Sequence, residues 1–155
     1  MYSFLRISET TYSIEGRKND MQLRPYLSFQ GDCAEAIALY ERAFGASVME
    51  IMRFGDIPGG GPPIPEEQKS HIVQATLRLG DTFIRMSDAF KALNAAVSER
   101  IAIAVECTEE EVRRAFEVLS EEGTVDMPLQ QTFFSPCYGI VVDKYGVMWN
   151  LAALV

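Results

Sequence analysis

Two stretches of this chain repeat one rhythm of apolar and polar positions. Shifting the chain by 76 positions lays Leu27 on Ile103, Phe29 on Val105, Asp32 on Thr108, Glu35 on Glu111, Tyr40 on Phe116 and Glu41 on Glu117. In each copy a strand-like alternating segment gives way to an apolar stripe at helical spacing. The stripe is Ala36, Leu39, Tyr40 and Ala43 in the first copy, and Val112, Ala115, Phe116 and Leu119 in the second. Between segment and stripe stand Asp32-x-x-Glu35 and Thr108-x-x-Glu111. Both have the form of a capping box, in which the first side chain accepts an N–H of the opening turn and the Glu reaches back to the cap. Helix starts are therefore expected at 32 and 108, with Gly45 and Gly123 as left-handed C-caps.

After each helix the period returns to two. Strands are predicted over 47–54, 71–79 and 82–87 in the first half, with Leu79-Gly80-Asp81-Thr82 as a tight turn, and over 125–129, 138–142 and 147–154 in the second. Each half reads βαβββ. A repeat of this length is a duplicated module, because the shorter period and many copies of a solenoid are absent. The fold class expected is α+β. Modules span 21–90 and 100–155 of a single domain at 21–155; residues 1–20, polar and without sustained periodicity, are expected to be an extension that folding does not need. Met21 is one candidate for the natural start.

The chain is 155 residues long and 48% hydrophobic, enough for one compact domain with its own core. A net charge of -8 opposes contact with phosphate backbones, so no nucleic-acid partner is expected. No apolar run is long enough for a membrane span, and no signal-peptide pattern follows Met1. Cys33, Cys107 and Cys137 form neither a metal-binding spacing nor an even disulfide set, which points to a reducing cytoplasm. Cys33, flanked by Asp32 and Glu35, is expected to be a buried, inert thiol. The segment 55–65 holds three adjacent glycines, but no Gly-Lys-Ser/Thr follows, so it reads as a surface loop or a flap and not as a phosphate loop. His71, the one histidine, is suited to acid–base work, yet no partner is visible and an edge position is favoured.

The closing run Thr132-Phe133-Phe134-Ser135-Pro136-Cys137-Tyr138-Gly139, followed by Asp143-Lys144-Tyr145-Gly146 and by Trp149, resembles the last hairpin of the vicinal-oxygen-chelate superfamily. That superfamily includes glyoxalase I, bleomycin-resistance proteins and extradiol dioxygenases, and the PhnB-like branch, labelled 3-demethylubiquinone methyltransferase-like, is the most similar. This chain departs from the pattern at Phe134, Ser135 and Lys144. The resemblance implies two βαβββ modules forming a curved mixed sheet around a ligand cavity, with helices outside, and a homodimer. It also implies where a metal would sit: the four ligand positions fall on Pro25, Arg85, Arg100 and Asn150. None of these is a normal ligand for a dication, so neither a metal nor any other cofactor is expected.

By strand alternation Phe83, Arg85 and Ser87 share one face, as do Met148, Asn150 and Ala152, while Gln74 and Thr76 are polar on an otherwise apolar strand. Phe133, Phe134, Tyr138 and Trp149 are either core or cavity wall. The ligand-binding residues expected are Gln74, Arg85, Asn150, Phe134 and Tyr138, in a cup suited to a small organic anion or a polar aromatic. The function expected is metal-free small-molecule binding. The alternative is an enzyme of the glyoxalase or dioxygenase kind acting on an oxygenated small molecule. No glycine-rich motif for S-adenosylmethionine is present.

Overall fold

The computed structural model describes residues 23–59, 63–89, 93 and 101–155. The extension 1–20 and Arg100 lie outside the described residues. The elements run β1 (Tyr26–Phe29), α1 (Cys33–Phe44), β2 (Ser47–Arg53), β3 (Ile72–Leu79), β4 (Thr82–Asp88), β5 (Ile103–Cys107), α2 (Glu109–Ser120), β6 (Thr124–Gln130), β7 (Tyr138–Val142) and β8 (Met148–Ala153). This is βαβββ twice over, as the period changes in the sequence require. The strands form two four-stranded sheets, ordered β1-β4-β3-β2 and β5-β8-β7-β6. In each, the strand before the helix lies parallel to the last strand of its module, and the other pairs are antiparallel. Within one chain the curved sheet is thus built as two separate sheets. β1 and β5 each keep one edge unpaired among the described residues.

α1 and α2 pack on each other, and one core runs through both modules. It takes the buried stripes of both helices and one face of each sheet: Ala75, Leu77, Ile84 and Met86 from the first, Val141, Trp149, Leu151 and Ala153 from the second. Asp143 joins the modules. Its Oδ2 accepts hydrogen bonds from the Tyr40 hydroxyl at 2.7 Å and the Trp149 indole N–H at 2.9 Å, while Oδ1 accepts from the backbone N–H groups of Tyr145 and Val147. Tyr40 and Trp149 also meet edge to face at 5.1 Å. Burial and the Asp143 carboxylate push the Tyr40 hydroxyl well above the usual tyrosine range.

The two helix starts stand where expected, but only one capping box forms. Thr108 Oγ1 accepts from the Glu111 N–H, and Glu111 Oε2 accepts from the Thr108 N–H at 2.9 Å. Asp32 caps nothing in its helix; its Oδ1 accepts from the Gln30 N–H instead. The start of α1 is held by Asp88, at the end of β4: Oδ1 accepts from the N–H groups of Gly31 at 2.8 Å and Cys33 at 3.0 Å, and Oδ2 from that of Ile72 at 2.8 Å. A buried carboxylate must collect such donors, because leaving it unpaired costs more than an exposed cap returns.

The helix ends differ in the same way. Gly45 is the expected left-handed cap, with φ 63°. At α2 the left-handed residue is Glu122, with φ 56°. Gly123 is required instead by close approach, since a Cβ there would lie 2.5 Å from the Leu119 carbonyl oxygen and 2.6 Å from that of Val142.

Candidate functional site: two open sheet faces

Alternation along each strand turns one set of side chains to the helices and leaves the other set on the opposite face. On the first sheet that opposite face carries a row of four residues in register, Tyr26 on β1, Arg85 on β4, Thr76 on β3 and Glu50 on β2. Beside the row, Ser28 pairs with Ser87, Met52 with Gln74 and Phe83 with Arg78. On the second sheet the corresponding rows are Ala104, Asn150, Ile140 and Met127, then Glu106, Ala152, Tyr138 and Gln130. Both faces are open: Tyr26 is 56% exposed and Met52 43% on the first, and Ala104, Glu106 and Gln130 are exposed on the second.

Gln74 and Arg85 stand on the first face, Asn150 and Tyr138 on the second. Gln74 donates weakly to Glu50 at 3.4 Å, and Tyr26 donates to Ser87 Oγ at 2.8 Å. Arg85 is half-buried, and its side chain makes no ion pair among the described residues. Phe134 lies in the β6–β7 loop, its ring edge-to-face with Tyr138 at 5.0 Å and with Phe133 at 5.1 Å. Phe133 is fully exposed. Trp149 is wholly buried in the core and is also part of the wall of a cleft at the joint of the modules. Gln74 and Arg85 are therefore on one sheet and Asn150, Tyr138 and Phe134 on or beside the other, with no hydrogen bond or ring contact joining the two groups among the described residues.

Among the described residues two buried polar atoms lack a partner, Thr76 Oγ1 and Asn150 Oδ1. They lie one on each face. A separate cleft of about 690 Å³ opens at the joint of the modules, between the start of β1, the β3–β4 turn and β5, with Phe44 and Trp149 in its wall; none of the five expected residues lines it.

Of the four positions where the fold class would hold a metal, Pro25 uses its carbonyl to accept from the Arg85 N–H, Arg85 is a cation, and Asn150 offers one amide. That donor set does not fit a dication. Among the described residues no group of three His, Cys, Asp or Glu side chains is placed to hold one either. His71 stands one residue before β3, its ring against the β1–α1 turn, where a Cβ on Gly31 would come within 3.1 Å. Cys33 is wholly buried, and burial, followed by Asp88, Asp32 and Glu35, pushes its thiol up to about 12. Such a thiol is no nucleophile near neutral pH.

A family model described as 3-demethylubiquinone-9 3-methyltransferase matches residues 21–152. The chain belongs to that family. Protein YjdN of Escherichia coli (strain K12) is 35% identical over 138 residues, which cover 84% of this chain and 94% of YjdN. Among solved structures, protein PA1353 from Pseudomonas aeruginosa aligns with TM-score 0.73 at 31% identity, covering 86% of this chain and 98% of its own. The PhnB protein from Bacillus cereus aligns with TM-score 0.72 at 27% identity, covering 86% and 100%. The fosfomycin resistance protein FosX from Listeria monocytogenes, at 12% identity and TM-score 0.58 over 85% and 90%, shares the fold alone. The family is therefore PhnB-like and its fold that of the vicinal-oxygen-chelate superfamily, α+β with paired βαβββ modules.

Neither the Asp88 cap nor the Asp143 joint was found by sequence reasoning. Arg78 and Tyr26, on the same face as Arg85, were also missed. Strand alternation carried to those two positions would have found them.

Proposed function

We propose that this chain binds a small organic anion, without a metal, in a cup completed by a second copy: Arg85 and Gln74 from one chain face Asn150, Tyr138 and Phe134 from the other. The observation that carries the reading is Arg85, half-buried on an open sheet face with no carboxylate beside it among the described residues. A partly desolvated guanidinium needs an anion, and among the described residues none pairs with it. The unpaired edges of β1 and β5 support a symmetric dimer in which the two kinds of face meet. The reading takes nothing from the methyl transfer in the family's description, because the sequence has no glycine-rich motif for the methyl donor.

Benzoate, an aromatic monoanion, is the probe. Calorimetric titration of the full chain should show binding that Arg85→Ala abolishes, with sedimentation as a dimer unchanged in the variant. Elemental analysis of the same preparation separates this reading from the alternative, a metal-dependent enzyme of the glyoxalase or dioxygenase kind. Stoichiometric Ni, Zn, Fe or Mn would overturn the metal-free reading.

A further inference from the structure

The face of the first sheet holds more unanswered positive charge than an acidic chain should leave. The chain has 22 acidic residues against 14 basic ones, and Arg42 and Arg113 each pair with a carboxylate. Arg78 and Arg85 are both half-buried on one sheet face, and neither makes an ion pair or a side-chain hydrogen bond among the described residues. They are diagonal neighbours on one face, since Thr76 pairs with Arg85, and Arg78, two residues further along β3, pairs with Phe83. Such neighbours lie about 7–8 Å apart. The guanidinium of Arg24 lies over the Phe83 ring at 5.3 Å. On the strands of this face the carboxylate is Glu50, which sits across Thr76 from Arg85 and accepts from Gln74.

Arginines at neighbouring positions can turn both guanidinium groups to one ligand, and a monoanion neutralises only one of the two charges. A tetrahedral dianion offers three oxygens to two planar donor forks. We propose that Arg78 and Arg85 together clamp one dianionic phosphoryl or phosphonyl head group, with the exposed ring of Tyr26, in the same row as Arg85, beside it to receive an apolar remainder. The inference rests on the cup being a small-molecule site, and it adds both the ligand class and a second anchoring residue.

Phenyl phosphate and benzoate share a ring and differ in head-group charge, so the pair tests it. Titrated into the full-length dimer, phenyl phosphate should bind at least about tenfold tighter than benzoate and weaken as pH falls through its second ionisation. Arg78→Gln should cost phenyl phosphate about tenfold and leave benzoate nearly unchanged, whereas Arg85→Gln should weaken both. Melting curves of each variant show that it is folded, and Arg78→Lys, which keeps the charge, should recover part of the affinity. Phenyl phosphate affinity unmoved by Arg78→Gln would overturn the clamp, even with Arg85→Gln showing that the cup reading stands. Benzoate binding without phenyl phosphate binding would do the same. Failure of both probes would remove the clamp and the cup reading together. Coupling between Arg85→Gln and Glu106→Gln in dimer stability would assign the arginine to a carboxylate of the second copy, and that too would overturn the clamp.

Discussion

Asp143 receives four hydrogen bonds in a buried position, two of them from side chains on which the core depends. Asp143→Ala should therefore cost about 3–5 kcal/mol in urea unfolding, because the Tyr40 hydroxyl, the indole N–H and two backbone N–H groups lose their acceptor at once. Tyr40→Phe should cost only about 1–2 kcal/mol, since Oδ2 keeps the indole. Cys33 adds a pH dependence. Its folded value stands above the ordinary 9.0, at about 12, so the stabilisation is present below 9.0 and is lost as pH rises toward 12, where the unfolded thiol ionises and the folded one does not. Stability of the wild type should fall more steeply over that window than stability of Cys33→Ala. The sequence carried part of this: an inert Cys33 was legible from Asp32 and Glu35 beside it. The role of Asp143 was not, because its partner Tyr40 is 103 residues away, and periodicity reports only neighbours.

At the scale of elements, position was legible and chemistry was not always. The period changes place every strand and both helices to within a few residues, and the repeat predicts the module order. The paired capping boxes look alike in sequence, yet Thr108 caps and Asp32 does not. Thr108→Ala should cost about 1 kcal/mol, Asp32→Ala less, and Asp88→Ala more than either, because three backbone N–H groups then lose their acceptor. Thermal unfolding of the three variants gives the order. Gly123→Ala should destabilise by about 3 kcal/mol, since both atoms its Cβ would meet are backbone oxygens that side-chain motion cannot clear. Gly45→Ala meets nothing within 4 Å and should cost only the left-handed backbone, about 1 kcal/mol.

At the scale of the whole molecule, the chain carries two open sheet faces that do not meet among the described residues. The five residues singled out from the sequence divide between the sheets. Alternation placed Arg85 and Asn150 on the faces turned away from the helices without showing that their sheets are separate within one chain. Only the sheet order shows that, through the free edges of β1 and β5. The central claim is that one cup takes its halves from two copies, and subunit complementation tests it most directly. Arg85→Ala and Asn150→Ala proteins, each unable to bind benzoate alone, are unfolded, mixed in equal amounts and refolded. In a mixed dimer one cup then carries both defects and the other carries neither. Benzoate binding should return at wild-type affinity, with one intact cup in each mixed dimer. A mixture that forms mixed dimers and still binds no benzoate would contradict it.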